Sequence, residues 1–363
     1  MKTLSVALPG REYEIYIESG LLDRAGEHIR AVCPRAKRLS VVTDSNVAPL
    51  YLQRVQNALA SAGFAVEGIV VPAGESSKSL EMLGQLYGQM LDFGLSRTDA
   101  VVALGGGVVG DLTGFAAATV LRGVDFIQIP TTLLAQVDSS VGGKVAIDLP
   151  AGKNLAGSFW QPKVVLMDPD CLNTLPDAVF CDGMAEVIKY GCIRDEAFFR
   201  LLDGCGSRAG VMAHIEQVLH TCCAIKADIV RADERESGLR MLLNFGHTIG
   251  HAFEVAGAYE KWTHGQAVAV GMLWAARLGA QLGVTPARIE EEIAALLAKY
   301  DLPRHIPCPW NVMEHAVCRD KKRGDGGIRV VLLNELGQAC TRAMEIPDLL
   351  TNLKELHGQR VGL

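Results

Sequence analysis

No apolar stretch of this sequence is long enough to cross a bilayer. The most apolar late segment, Ala267 to Ala276, ends at Arg277, well short of the roughly 20 residues that a spanning helix needs. At the start, MKTLSVALPGREYEIY loses its apolar character at Pro9-Gly10-Arg11, too soon for a secretory leader. The expectation is a cytoplasmic protein that does not engage a membrane. CxxC pairs are missing as well. Apart from Cys222-Cys223 the ten cysteines are scattered, so zinc-ribbon and redox motifs are excluded and buried free thiols are expected. Basic residues are not in excess. A net charge of −6 argues against a nucleic-acid binder with a basic stripe, yet leaves room for a local Lys/Arg cluster around a small anion. Low-complexity tracts and solenoid-period repeats are also lacking. With 49% apolar and 21% charged residues, the chain has the balance of a globular protein with a large core, and its 363 residues suffice for two domains.

What is present, first of all, is an alternation of two periods. Short β-branched runs at Leu39–Thr43, Ala65–Val71, Ala100–Leu104, Asp125–Ile129 and Val164–Asp168 are separated by helical patterns such as Ala48–Ala62 and Ser79–Phe93. Repeated strand–helix–strand units predict an α/β domain with a mostly parallel sheet covered on both faces. After Pro176 long helical patterns take over, at Met184–Tyr190, Val211–Arg231, Leu239–Val255, Gln266–Leu282 and Ala287–Tyr300, with one hairpin at Ile328–Leu333 and Gln338–Met344. The expected organisation is an α/β domain over residues 1–178 and a mainly helical, all-α domain over residues 179–363.

Ligands of parallel sheets gather at the carboxyl ends of the strands. Val101-Val102-Ala103-Leu104 runs into Gly105-Gly106-Gly107-Val108-Val109-Gly110-Asp111 and then an apolar helix. Glycines there let a backbone approach a pyrophosphate, whose charge would face the first N–H groups of the helix. The run is neither GxGxxG nor a P-loop, and a tight turn without ligand explains it almost as well. Asp44 after an earlier strand, Gly74-Glu75-Ser76-Ser77-Lys78 after another and Thr131-Thr132 after a fourth add polar groups at the same edge, as an extended ligand such as NAD would need.

Three of the nine histidines fall between residues 247 and 264. In Asn244-Phe245-Gly246-His247-Thr248-Ile249-Gly250-His251, a helix puts His247 and His251 on one face at i, i+4, the spacing of the zinc motif HExxH with Thr248 in place of its glutamate. His264 opens the next helix and can fold back toward His247. Upstream, Glu186 and Lys189 sit one turn apart around the apolar Val187-Ile188, so the glutamate is expected to be buried and to need a partner such as a metal. Two histidines and a carboxylate with open positions suit a catalytic Zn²⁺. Histidines satisfied by backbone hydrogen bonds are the alternative. Despite the acidic total, Arg122, Lys144, Lys153, Lys189, Lys226 and Arg240 fall beside glycines, helix starts or the histidine segment, with Asp320-Lys321-Lys322 further on. Such placement suits phosphate or carboxylate binding.

Several blocks then carry a resemblance over nearly the whole chain: LGGGVVGDLTGFAAA at 104–118, IPTTLLAQVDSSVGGK at 129–144, GKN at 152–154, GMAEVIKYG at 183–191, ADERESGLRMLLNFGHTIGHAFE at 232–254 and THGQAVAVGM at 263–272. In these the chain closely resembles the 3-dehydroquinate synthases, sugar phosphate cyclases of the shikimate pathway. The resemblance implies an NAD-binding α/β domain and a helical metal- and substrate-binding domain. It implies conversion of 3-deoxy-D-arabino-heptulosonate 7-phosphate to 3-dehydroquinate and phosphate, with NAD oxidising and then re-reducing the substrate within one turnover. Glu186, His247 and His264 are implied as ligands of Zn²⁺ or Co²⁺. For NAD it points to Asp44, Asn46, Gly74, Glu75, Lys78, Gly107, Val108, Val109, Gly110, Asp111, Thr131, Thr132, Lys144, Lys153, Cys171, Leu172, Asn173 and Thr174. For substrate it points to Arg122, Asp138, Lys144, Asn154, Lys189, Lys226, Arg240, Asn244, His251 and Lys322 or its neighbour Lys321. Lys144, Asn154, Lys189, Glu236 and His251 are implied as the catalytic groups, and the assembly as a homodimer. Asp182 stands where a small polar residue, often Asn, is expected. The rivals are a metal-dependent alcohol or glycerol dehydrogenase, which releases NADH; a related cyclase such as a 2-deoxy-scyllo-inosose synthase; and a catalytically dead binding protein on the same fold.

Overall fold

The apolar runs of the first half become strands β1 (Lys2–Val6), β2 (Tyr13–Ile17), β3 (Arg38–Asp44), β4 (Ala65–Val71), β5 (Ala100–Gly105), β6 (Asp125–Pro130), β7 (Lys144–Leu149), β8 (Gly152–Phe159) and β9 (Val164–Met167) in a computed structural model. It describes residues 1–235, 238–257, 261–320 and 327–361. Two units are distinguished: Met1–Pro176 with Ile215–Arg231, and Asp177–His214 with Ala232–Leu363.

In the first unit seven strands form one sheet in the order β1-β2-β9-β6-β5-β3-β4. Every pairing from β2 to β4 is parallel and only β1 runs antiparallel, against β2. All six residues of β5 are buried, and strict alternation distributes them between two cores. Ala100, Val102 and Leu104 join the helices Ala25–Val32 and Gln53–Ser61. Val101 and Ala103 join the helices Leu80–Asp92 and Gly107–Thr119. A strand covered on both faces has to be apolar throughout, which is why these strands read as continuous runs.

Several features depart from the sequence expectation. The β1–β2 pair is an antiparallel hairpin that the alternating residues Tyr13, Ile15 and Ile17 bury on one side. Lys153-Asn154, beside Gly152, lie near the start of β8, a strand the sequence reading did not anticipate, which pairs antiparallel with β7 as a separate two-stranded sheet. The register shifts between Ile147 and Leu149, and Asn154 takes φ 57° there, the left-handed conformation that asparagine tolerates at a bulge. The hairpin is fixed by Val145 and Ile147, both buried against the Gly107–Thr119 helix core. The expected helix Val211–Arg231 is broken at His214 into Arg208–Ala213 and Ile215–Ala232, and the second piece belongs to the first unit.

The second unit is built around the helix His264–Gln281, buried on nearly every side from Ala267 to Ala276. The helix Asp177–Arg194 is likewise buried without interruption from Gly183 to Ile193. Helices apolar all round need neighbours all round, here supplied by Glu196–Cys205, His247–Ala256, Arg288–Lys299, Trp310–Asp320, Ile346–Val361 and the hairpin β10 (Ile328–Glu335) with β11 (Gln338–Met344). Leu239–Val255 is not one helix, as its periodicity suggests. A 3₁₀ segment, Leu239–Asn244, stops at Phe245, and the α-helix begins at His247. Gly246 between them has φ 81°, and a Cβ there would lie 2.7 Å from Met272 Cγ and 2.8 Å from its backbone nitrogen. No other residue type combines that conformation with that clearance. Among the described residues no helix is long and apolar enough to cross a membrane.

Gly114 tests the fit of helix to hairpin, because a Cβ on it would come within 2.3 Å of Val145 Cγ1 and 2.9 Å of the Phe126 ring. Helix propensity alone favours Ala over Gly by up to about 1 kcal/mol. Overpacking outweighs it, so Gly114→Ala is expected to lower the unfolding free energy by about 1–3 kcal/mol, read from the urea midpoint. A midpoint equal to or above that of the parent would show that the hairpin yields freely.

Candidate metal centre and nucleotide-facing loops

Glu186 lies on the inner side of the helix Asp177–Arg194 with no exposed surface. Its Oε1 stands 3.3 Å from His247 Nε2 and 3.3 Å from His264 Nε2. The three donor atoms lie within 4.8 Å of one another, a spacing that one small cation at their centre would close. Each histidine has its other ring nitrogen engaged. His247 Nδ1 faces the Phe245 carbonyl at 3.2 Å, and His264 Nδ1 faces Glu254 Oε1 at 3.4 Å. With Nδ1–H donating to these oxygens, a neutral imidazole carries its lone pair on Nε2, the form in which histidine binds metal. Two imidazoles and a carboxylate therefore fit Zn²⁺ or Co²⁺.

The fold brings these side chains together through close helix contacts. Gly265 N–H donates to Asp182 Oδ1 at 2.7 Å, and a Cβ on Gly265 would sit 2.0 Å from the Asp182 carbonyl oxygen. The contact holds the first turn of the His264 helix one turn from Glu186. Thr263 closes that turn with a capping box to Gln266. The part Asp182 plays needs only an acceptor oxygen, which aspartate supplies as well as asparagine would.

Burial opposes ionisation of Glu186, but the Lys189 ammonium paired with its Oε2 and the two histidines hold its carboxyl well below the usual range. Burial also works against a charged His264, yet Glu186 and Glu254 together push it up to about 10. Without an ion, the two carboxylates thus favour the protonated form of His264.

In the first unit, the helix Gly107–Thr119 starts from Gly106, which offers no side-chain cap, so its leading N–H groups point out of the strand end unsatisfied by the helix itself. None of Gly105, Gly106 or Gly107 has positive φ. They are required for contact instead: a Cβ would meet Val109 at 2.8 Å, Thr132 Cγ2 at 3.1 Å and Ser139 Oγ at 3.1 Å respectively. The Thr131 hydroxyl is buried without a partner among the described residues. An uncapped helix start beside an orphaned hydroxyl fits a phosphate-bearing cofactor. Lys78, almost wholly buried, reaches Asp111 Oδ2 at 2.8 Å and Asn154 Oδ1 at 2.5 Å. Burial disfavours its charge, but Asp111 and Glu75 prevail and hold its pKa up. Lys153 lies 3.4 Å from Glu75. Asp44 folds back on its own loop, its Oδ1 accepting from the N–H groups of Asn46 and Val47. Gly74 turns there with φ 111°.

The remaining predicted residues divide clearly. Lys226 ion-pairs with Asp138 at 2.8 Å. Lys144 opens β7 on the surface. Arg122 is exposed, and it and Leu121 both take left-handed backbone, φ 68° and 50°. Val109, Gly110, Cys171 and Leu172 are buried, so a ligand would meet them through backbone atoms. Asn173 is exposed, and the Thr174 hydroxyl pairs with Tyr51 Oη at 2.5 Å. Arg240 is buried and donates to the Glu234 carbonyl, Asn244 is half-buried, and His251 is exposed with Nε2 3.9 Å from Glu254 Oε2. Glu236, Lys321 and Lys322 lie outside the described residues. Glu254 itself was not singled out by sequence, although i+7 from His247 puts it on the same helical stripe. Among the described residues no disulfide joins any of the ten cysteines, and burial pushes Cys33, Cys171 and Cys223 up to about 12, too high for nucleophilic thiols.

Two outcomes follow from the metal cluster. Glu186→Gln should weaken Zn²⁺ binding by more than about 100-fold, beyond the loss of an outer-shell partner; metal content unchanged after dialysis would place the carboxylate ligand elsewhere. Because the raised His264 pKa means a proton must leave before Nε2 can ligate, Zn²⁺ affinity should climb with pH from neutrality toward 10. Chelator competition across that range measures it, and a flat profile would contradict a protonated ion-free site.

The model of the 3-dehydroquinate synthase N-terminal region matches residues 68–182, and that of the C-terminal region matches 183–323. A 3-dehydroquinate synthase of Desulforamulus reducens is 48% identical over 360 residues, with 98% of each chain covered. Among solved structures, a 2-deoxy-scyllo-inosose synthase complexed with carbaglucose-6-phosphate, NAD⁺ and Co²⁺ superposes with TM-score 0.87 at 26% identity, covering 97% of this chain and 98% of its own. A 2-epi-5-epi-valiolone synthase from Streptomyces hygroscopicus subsp. jinggangensis with NAD⁺ and Zn²⁺ bound gives 0.85 at 26%, covering 96% and 97%. With both halves matched and nearly half the residues shared with a full-length relative, this chain belongs to the 3-dehydroquinate synthase family.

Proposed function

We propose that the chain converts 3-deoxy-D-arabino-heptulosonate 7-phosphate to 3-dehydroquinate and phosphate, using NAD and a divalent metal. The Glu186–His247–His264 cluster carries the reading, because an intact donor set is what separates a working cyclase from a dead relative. Metal and NAD come to this chain from its donor chemistry and from the ligands of the two solved cyclases. When bound, a metal at Glu186, His247 and His264 would supply Lewis acidity to a substrate alcohol, and NAD would supply reversible hydride chemistry for the cyclisation.

The chain's own residues prepare for this. Glu186, His247 and His264 would hold the ion, and Lys189 keeps the second oxygen of Glu186 neutralised. The open start of the Gly107–Thr119 helix would face the NAD pyrophosphate. Lys78, Asp111 and Asn154 brace the loop after β4 against the helix and the β7–β8 hairpin. Lys144, Lys153, Asn173 and Thr174 complete the cofactor set that the resemblance assigns. Arg122 is exposed and suits the phosphate or carboxylate of the substrate; Lys226 and Asp138 orient one another, and the resemblance assigns them to the substrate together with Arg240, Asn244 and His251. A cytoplasmic homodimer completes the reading, supported by the family resemblance and by cysteines that form no disulfide among the described residues; light scattering of the purified protein tests the dimer.

The decisive assay follows inorganic phosphate together with nicotinamide absorbance. Heptulosonate phosphate with NAD⁺ and Zn²⁺ should release phosphate with no net NADH, and chelation should stop it. Accumulating NADH would indicate a dehydrogenase, and release from glucose 6-phosphate instead would indicate an inosose-type cyclase.

A further inference from the structure

We infer that Glu254 is a positioning residue for the metal centre, selecting the tautomer and orientation of His264. The inference deepens the proposed metal-dependent reading and rests on it. Glu254 is 7% exposed, on the face of the helix His247–Ala256 that also carries His247 and His251 at i−7 and i−3. The His264 ring lies between two carboxylates, Nδ1 3.4 Å from Glu254 Oε1 and Nε2 3.3 Å from Glu186 Oε1. Those two contacts are not equivalent. The Glu186 side is the one shared with His247 Nε2, so a cation gathering all three donors needs a bare lone pair on His264 Nε2. The proton of the neutral ring must then reside on Nδ1, and Glu254 is the acceptor that keeps it there.

His247 solves the same problem differently. Its Nδ1 faces the Phe245 carbonyl, an acceptor fixed by the backbone turn at Gly246 and indifferent to side-chain substitution. His264 is the first residue of its helix and its side chain is 31% exposed. An imidazole there with no acceptor at Nδ1 would be free to rotate and to carry its proton on the ligating nitrogen. The side-chain carboxylate of Glu254 thus does for the more exposed ligand what the backbone does for the less exposed one. Its other oxygen, 3.9 Å from His251 Nε2, keeps the carboxylate wedged between two imidazoles.

The test uses the full-length protein with Zn²⁺ or Co²⁺ alone, without substrate. Glu254→Ala should weaken Zn²⁺ binding about 10- to 100-fold by chelator competition, and the visible absorption of the Co²⁺-loaded protein should change in intensity or position. Glu254→Gln, which keeps an acceptor oxygen and the shape of the side chain, should recover most of the affinity. Nitrogen-15 spectra of the Zn²⁺-loaded parent should show His264 protonated at Nδ1. Parental affinity and an unchanged Co²⁺ spectrum in Glu254→Ala, or His264 protonated at Nε2, would overturn the assignment. Should Glu254→Ala not fold, the Nδ1 proton in the parent decides. Since no readout involves turnover, the positioning role can fail while the synthase reading stands, and absence of phosphate release would sink that reading while leaving the metal data intact.

Discussion

A carboxylate with no access to water organises the helical unit. Isolated, the charge of Glu186 would cost several kcal/mol to bury, so everything around it answers that cost. Lys189, one turn away, takes one oxygen, and His247 and His264 from two other helices face the second. Each partner is buried or half-buried and each is oriented by a further contact. The result is a ring of groups that satisfy one another in the ion-free protein and present converging donors to a cation. A structural ion pair would be complete with Lys189 alone. The two imidazoles on the other oxygen suit the arrangement to a metal.

That arrangement depends on how closely helices approach, and glycine sets the distance. Gly265 against the Asp182 carbonyl and Gly271 against the Gly246 carbonyl, where a Cβ would come within 2.0 Å in each case, allow backbone-to-backbone contact that larger residues would forbid. The α/β unit uses the same device. There the glycines after β5 pack against Val109, Thr132 and Ser139, leaving the helix start open at the strand ends. The conformational freedom of glycine matters chiefly at Gly246, where the chain must turn left-handed in a space with no room for a side chain.

Much of this was legible beforehand. The core strands β3 to β6 and β9 followed from runs such as Ala100–Leu104, because a strand buried on both faces has no polar alternation to obscure it. The helical second half followed from three- and four-residue spacing. The hairpins β1–β2 and β7–β8 were not legible. Their strands are short and only partly buried, and β8 carries two glycines, so period alone cannot separate them from loops. The continuous pattern across Leu239–Val255 concealed the break at Gly246, since apolar spacing is blind to a backbone that must reverse hand to clear Met272.

By itself, the sequence determined the layered α/β and helical architecture, the concentration of histidines between 247 and 264, and through its family blocks the reaction to expect. Those depend on local periodicity and residue identity, which chain order preserves. Tertiary structure decided which groups face one another: that His264 folds back to Glu186 alongside His247, that His251 stays exposed, and that Glu254 stands behind His264. Ligand choice depends on distances of a few ångströms between residues up to 78 positions apart, and helix packing alone sets those distances.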